Sequence, residues 1–122
     1  MKPYVLIVDD EFGLADVMSD LLVAQGYDVE IAINGQLGLD ALLKRPADLV
    51  LVDVMMPIMG GPEMVGRMRA LPELATIPVI MMSGLPEAIP KGPDAPHDAV
   101  LIKPFPMKTL LATVVGMLAK RR

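Results

Sequence analysis

Five strand-length runs punctuate the chain, and four of them stop on a polar residue able to take part in chemistry. Tyr4–Val8 stops at Asp9-Asp10-Glu11, Leu49–Val52 at Asp53, Val79–Met82 at Ser83, and Val100–Ile102 at Lys103-Pro104. The fifth, Asp28–Ala32, ends without such a group. Between the runs, apolar residues recur with a helical period. Strands alternating with helices build a parallel sheet covered on both faces. In open sheets of this kind ligands bind outside the carboxyl ends of the strands. Packing alone gives no reason for the polar groups to gather at that one end. The pattern predicts an α/β fold, a flavodoxin-like doubly wound five-stranded parallel sheet of order 2-1-3-4-5 with a site along its carboxyl edge.

The helical segments carry their own punctuation. Leu14, Val17, Met18, Leu21 and Leu22 recur at helical spacing, and Gly26 sits where a left-handed cap would end that helix. Asn34 suits the cap of a second helix with Leu37, Ala41 and Leu42 inward, until Pro46 forbids continuation. Pro62 fits the first turn of a third, carrying Met64, Val65, Met68 and Leu71. The final helix follows Pro106 and presents Leu110, Leu111, Val114, Val115 and Leu118. The crossover before it is different. Pro86, Pro90, Pro93 and Pro96 interrupt it, and each interior proline costs a helix about 3 kcal/mol. A short turn near Leu85–Ile89 and then an irregular loop are predicted, with His97 a solvated side chain inside that loop.

Composition narrows the class. At 122 residues there is room for one domain, residues 1–122, with one core. That core is aliphatic and methionine-rich, since aromatics make up 3 % of the chain and methionines number 11. With no cysteine, disulfides and thiolate metal sites are excluded. A net charge of −4 argues against nucleic-acid binding by this domain. The basic run Lys120-Arg121-Arg122 reads as charge complementing a helix C-terminus. No apolar stretch approaches the ~20 residues of a membrane span, and Met1-Lys2-Pro3 leaves no room for a signal peptide. The expectation is a cytoplasmic chain that does not enter the membrane.

In the 2-1-3-4-5 order, strands one and three are neighbours, which brings Asp9, Asp10 and Asp53 together. Three converging carboxylates repel one another unless a cation intervenes, and a hard divalent ion such as Mg²⁺ takes oxygen ligands. The plainer role for Asp9-Asp10 is capping the following helix. A carboxylate oxygen such as that of Asp53 is a competent nucleophile toward phosphorus. Phosphoryl transfer then needs positioning and positive countercharge, which Mg²⁺ and Lys103 would supply. Ser83 can donate a hydrogen bond to a phosphoryl oxygen, and Gly84 beside it leaves room. Alone, Lys103 would pass for a snorkelling lysine and Ser83 for a turn residue. Together, in this order, they point to phosphoryl chemistry.

Asp9-Asp10, Asp53-Val-Met-Met-Pro57 with Gly61, Ser83-Gly84 and Lys103-Pro104-Phe105 resemble the receiver domain of two-component response regulators across essentially the whole chain. The resemblance implies that Asp53 accepts phosphate from the phosphohistidine of a histidine kinase or phosphotransfer protein. It implies Mg²⁺ bound by Asp10, Asp53 and the Met55 carbonyl, with Asp9 close by or bound through water. Ser83 would be the switch hydroxyl and Lys103 the phosphate-contacting ammonium, followed by a cis proline. Such a domain assists its own phosphotransfer and autodephosphorylation without an independent substrate. It acts through a downstream protein partner or through an output domain, which is missing here; the chain is a stand-alone receiver or a piece of a longer regulator.

Three features depart from the family's usual pattern. Val100 stands where an aromatic residue is common, Gly60 where an acid is common, and prolines break the fourth helix. The first and third lie on the face through which receivers usually signal. One alternative is a pseudo-receiver, a phosphorylation-independent interaction module, which the intact set of site residues disfavours. An aspartate-nucleophile phosphatase would place Asp-x-Asp after the first strand. A nucleotide or flavin binder would want a glycine- or hydroxyl-rich loop where Asp9-Asp10-Glu11 stands.

Overall fold

The computed structural model describes residues 2–120. Five parallel strands, β1 (Tyr4–Val8), β2 (Asp28–Ala32), β3 (Leu49–Asp53), β4 (Val79–Ser83) and β5 (Ala99–Ile102), lie in the order β2-β1-β3-β4-β5. Helices α1 (Phe12–Ala24), α2 (Gly35–Lys44), α3 (Gly61–Ala70) and α4 (Met107–Lys120) cover the sheet. The expected architecture and strand order are both present.

The pleat divides the core in two. Leu6, Val8, Val50, Val52, Val79 and Met81 pack with Leu39 and Leu42 of α2 and Met64, Val65 and Met68 of α3. Val5, Ile7, Leu49, Leu51, Ile80 and Met82 pack with Ala15, Met18 and Leu22 of α1 and Leu110 and Val114 of α4. β1, β3 and β4 are buried on both faces, which explains their unbroken aliphatic sequences. Each such side chain contributes about 1.5–3 kcal/mol through burial.

Caps fall where the sequence places them. Gly26 has φ +93°, and Tyr27 N–H donates to Leu22 O at 3.1 Å to close α1. Asn34 Oδ1 accepts from Leu37 N at 2.9 Å to open α2. Pro62 occupies the first turn of α3. Asp9 Oδ1 accepts from Glu11 N at 2.9 Å just before α1, whose N-cap Glu11 makes no side-chain cap bond. Lys120 lies in the last turn of α4, whereas Arg121 and Arg122 fall outside the described residues.

Three helix positions expected to face inward do not. Val17, Leu37 and Val115 are each about half exposed, while Ala15, Leu39, Leu110 and Val114 meet the sheet. These helices carry apolar side chains on more than one face, so spacing alone does not say which stripe is buried.

The fourth crossover holds one 3₁₀ turn, Pro86–Ala88, and is otherwise irregular. It is less free than its prolines suggest. Ile89 is buried in the core beside α2 and α3. Arg69 of α3 donates to Pro96 O at 2.9 Å, Ala75 O at 3.0 Å, Ile77 O at 2.7 Å and Asp98 Oδ2 at 3.0 Å. Asp98 Oδ2 also accepts from Val79 N at 2.8 Å, tying the loop to the start of β4. His97 is partly buried rather than simply solvated. Burial pushes its imidazole below the ordinary value, against the pull of Asp98. Val100 and Ile102 remain partly exposed on β5, with no α-helix between β4 and β5 to cover them.

Candidate functional site

Strand register assembles the carboxyl-edge site. Val8 pairs with Val52, so Asp9 and Asp53 leave neighbouring strands side by side. Asp53 in turn pairs with Met82, and Ser83 with Ile102, which places Ser83 and Lys103 on the next two strand ends. Asp9, Asp10 and Asp53 each offer a carboxylate oxygen within 4.8 Å of the others. Asp9 and Asp53 are buried, and Asp10 is exposed. Three hard oxygen donors this close suit a divalent cation of the Mg²⁺ type. The donor set therefore fits such an ion.

Lys103 supplies the positive charge. Its Nζ lies 3.0 Å from Asp9 Oδ2, 3.1 Å from Glu11 Oε1 and 3.5 Å from Asp53 Oδ2. Burial by itself would lower the ammonium's pKa; hydrogen bonds to Asp9 and Glu11 and the nearby carboxylate charges outweigh it and hold Lys103 above its ordinary value. Burial pushes the Asp53 carboxyl up to about 6 despite Lys103, with Asp9 and Asp10 adding to the rise. The Lys103–Pro104 peptide bond is cis.

Ser83 is buried at the end of β4. Its Oγ donates to Leu85 O at 3.0 Å and accepts from Leu85 N at 2.9 Å. Asp53, Ser83 and Lys103 share an open cleft of about 510 Å³, walled by Met55, Leu85 and Phe105 among others. Asp9 and Asp53 fall in step with the α1/α4 face of the pleat, and Ser83 with the α2/α3 face.

The segment after β3 is held close. A Cβ on Gly60 would meet Val54 O at 2.6 Å, and one on Gly61 would meet Asp53 O at 2.5 Å. Gly60 is therefore accounted for by space: here the backbone doubles back on its own strand. Gly61 N donates to Val54 O at 3.0 Å, which seals that return.

The sequence matches the response regulator receiver domain family over residues 5–115. The chain belongs to that family. This receiver is 34 % identical over 120 residues to the DNA-binding dual master transcriptional regulator RpaA of Synechocystis, covering 97 % of the chain and 50 % of the relative. It is 34 % identical over 119 residues to the response regulator ArlR of Staphylococcus epidermidis, covering 96 % and 53 %. The chain spans about half the length of these curated relatives. Among solved structures, the chemotaxis response regulator CheY4 of Vibrio cholerae superposes with TM-score 0.88 at 32 % identity, covering 96 % of this chain and 99 % of that one. A CheY-like receiver domain protein of Methanospirillum hungatei gives 0.90 at 29 %, covering 98 % and 96 %. No described helix is long and apolar enough to cross a membrane.

The residues singled out from the sequence all reach one end of the sheet. Two others were missed. Glu11 was read only as the tail of an acidic run, and its reach to Lys103 is a tertiary contact. Arg69 lies in the last turn of α3, and no local pattern shows that it holds a loop 27 residues away.

Proposed function

We propose that this receiver accepts a phosphoryl group on Asp53 from the phosphohistidine of a histidine kinase or phosphotransfer protein, and that phosphorylation changes a protein-binding surface. The observation that carries the proposal is the position of Lys103, 3.0 Å from buried Asp9 and 3.5 Å from Asp53, beside a carboxylate trio. In the step itself, an Asp53 Oδ–P bond forms as the donor's N–P bond breaks, and the electron pair leaves with the imidazole. Asp10, Asp53 and the Met55 carbonyl would hold Mg²⁺, with Asp9 at hand. When bound, the ion neutralises charge developing on the transferred group.

Lys103 offers the phosphoryl oxygens an ammonium already at the cleft. Ser83 must give up its bond to Leu85 O in order to donate to a phosphoryl oxygen. That exchange frees the start of the loop between β4 and β5. Moving a two-state switch from 1:99 to 99:1 takes about 5.5 kcal/mol. Two charge-assisted hydrogen bonds at roughly 1.5–3 kcal/mol each approach that figure.

Incubation with Mg²⁺ and acetyl phosphate, read by intact mass, tests the reading. Gain of one phosphoryl group by the wild type and none by Asp53→Asn is the expected result. An unmodified wild type, or a modified Asp53→Asn, overturns it. Amide exchange across residues 84–99 with a beryllofluoride mimic tests the switch: unchanged exchange removes it.

A further inference from the structure

Three carboxylates share the Lys103 ammonium, and they differ sharply in exposure. The side chains of Asp9 and Asp53 are 0 % and 12 % exposed, while that of Glu11 is 63 % exposed. An exposed glutamate gives up rotamer freedom in an ion pair for little return, so something must aim it. Asp9 supplies the aim: its Oδ1 accepts from the Glu11 backbone N at 2.9 Å, while its Oδ2 accepts from Lys103. One buried carboxylate thus pins both the backbone of Glu11 and the ammonium that Glu11 reaches. Glu11 also forms part of the wall of the cleft that holds Asp53.

An ammonium has three N–H donors; two of those on Lys103 bond Asp9 and Glu11, and Asp53 lies 3.5 Å away. A phosphoryl group on Asp53 adds about −1.5 to −2 charges and three acceptor oxygens. One N–H can meet it from where Lys103 stands; a second is available only if Asp9 or Glu11 gives one up. Releasing Asp9 would strand a buried carboxylate, whereas Glu11 is rehydrated at once. Glu11 is the partner that lets go.

Resting on the reading of Asp53 as phosphoacceptor, we infer that Glu11 is a latch on Lys103. It holds the ammonium in the unphosphorylated receiver and yields it when the phosphoryl group arrives. It is a positioning residue, acting on the reaction through Lys103. The latch slows phosphoryl acceptance, because part of the countercharge must be withdrawn from Glu11 first.

Glu11→Gln removes the charge, and Glu11→Asp keeps it while shortening the reach by one methylene. Two readouts separate contact from charge. The first is the Lys103 side-chain ammonium signal by ¹⁵N NMR in the unphosphorylated protein. The second is the rate of phosphorylation by acetyl phosphate with Mg²⁺. A latch requires the signal to shift in both variants and both to phosphorylate about two- to fivefold faster, the range expected from losing one exposed ion pair. A Lys103 signal unchanged in either variant overturns the latch. So does Glu11→Asp phosphorylating at the wild-type rate while Glu11→Gln is faster, since charge rather than contact would then be responsible. If all three proteins phosphorylate at one rate, the latch falls and the phosphoacceptor reading stands. A wild type that accepts no phosphoryl group takes both down.

Discussion

Arg69 Nη2 meets Asp98 Oδ2 at 3.0 Å, and this pair organises the crossover in which the fourth helix is missing. Asp98 also accepts from Val79 N, so one carboxylate joins α3, the proline-rich loop and the start of β4. A matching clip operates further along the sheet, where Asp48 Oδ2 accepts from Tyr4 N at 2.7 Å. The loop between β4 and β5 is therefore anchored at its far end by Arg69 and Asp98. At its near end the Ser83–Leu85 bonds hold it.

Replacing Arg69 with Met keeps much of the stem and removes four hydrogen bonds. Destabilisation of about 2–4 kcal/mol is expected, because partly buried carbonyls and Asp98 lose a charged donor. Denaturant unfolding measures the loss. Amide exchange over residues 93–98 should accelerate more than exchange over 4–8.

Asp53 makes the metal-free receiver pH-sensitive in an unusual direction for a carboxylate. Its pKa rises from 3.8 to about 6 on folding, so the folded protein holds a proton between these values that the unfolded chain has released. Stability falls as pH rises through that window, by on the order of 2–3 kcal/mol, and stays low above it. Asp53→Asn should flatten the dependence and raise the melting temperature above the window. A wild-type melting curve unchanged from pH 4 to about 7 would contradict this.

Met55 and Leu85 are exposed walls of the Asp53 cleft. If Asp53 carries a phosphoryl group, these apolar side chains are expected to hinder an attacking water. Substituting Asn at both positions should shorten the half-life of the phosphorylated protein several-fold, measured by loss of the phosphoryl group after removal of the donor. An unaltered half-life would show that these walls do not control hydrolysis.

Gly61→Ala places a methyl group 2.5 Å from Asp53 O. The backbone must shift at Asp53 itself, at a cost of about 1–3 kcal/mol. Thermal unfolding reads the stability change, and the Asp53 carboxyl ¹³C shift reads the displacement.

Most of the candidate site is legible in the sequence because strand ends are local features. Val8-Asp9, Val52-Asp53, Met82-Ser83 and Ile102-Lys103 each mark the point where an aliphatic strand stops, and parallel pairing brings such points together. Asn34, Gly26 and Pro62 were legible for the same reason, since a cap depends on neighbours a few residues away. The inward faces of the helices were less so. Val17, Leu37 and Val115 satisfy a helical period as well as the residues that pack, and only the sheet decides between the stripes.

The chain by itself determined its elements, their order and which residues crowd the carboxyl edge, because period, caps and proline blocks act over a few residues. Tertiary structure alone decided how the charges are shared. Lys103 reaches Glu11 across 92 positions, and Arg69 reaches Asp98 across 29. Ion pairs and hydrogen bonds act over a few ångströms in space whatever the separation along the chain, so their partners emerge only once the strands are side by side.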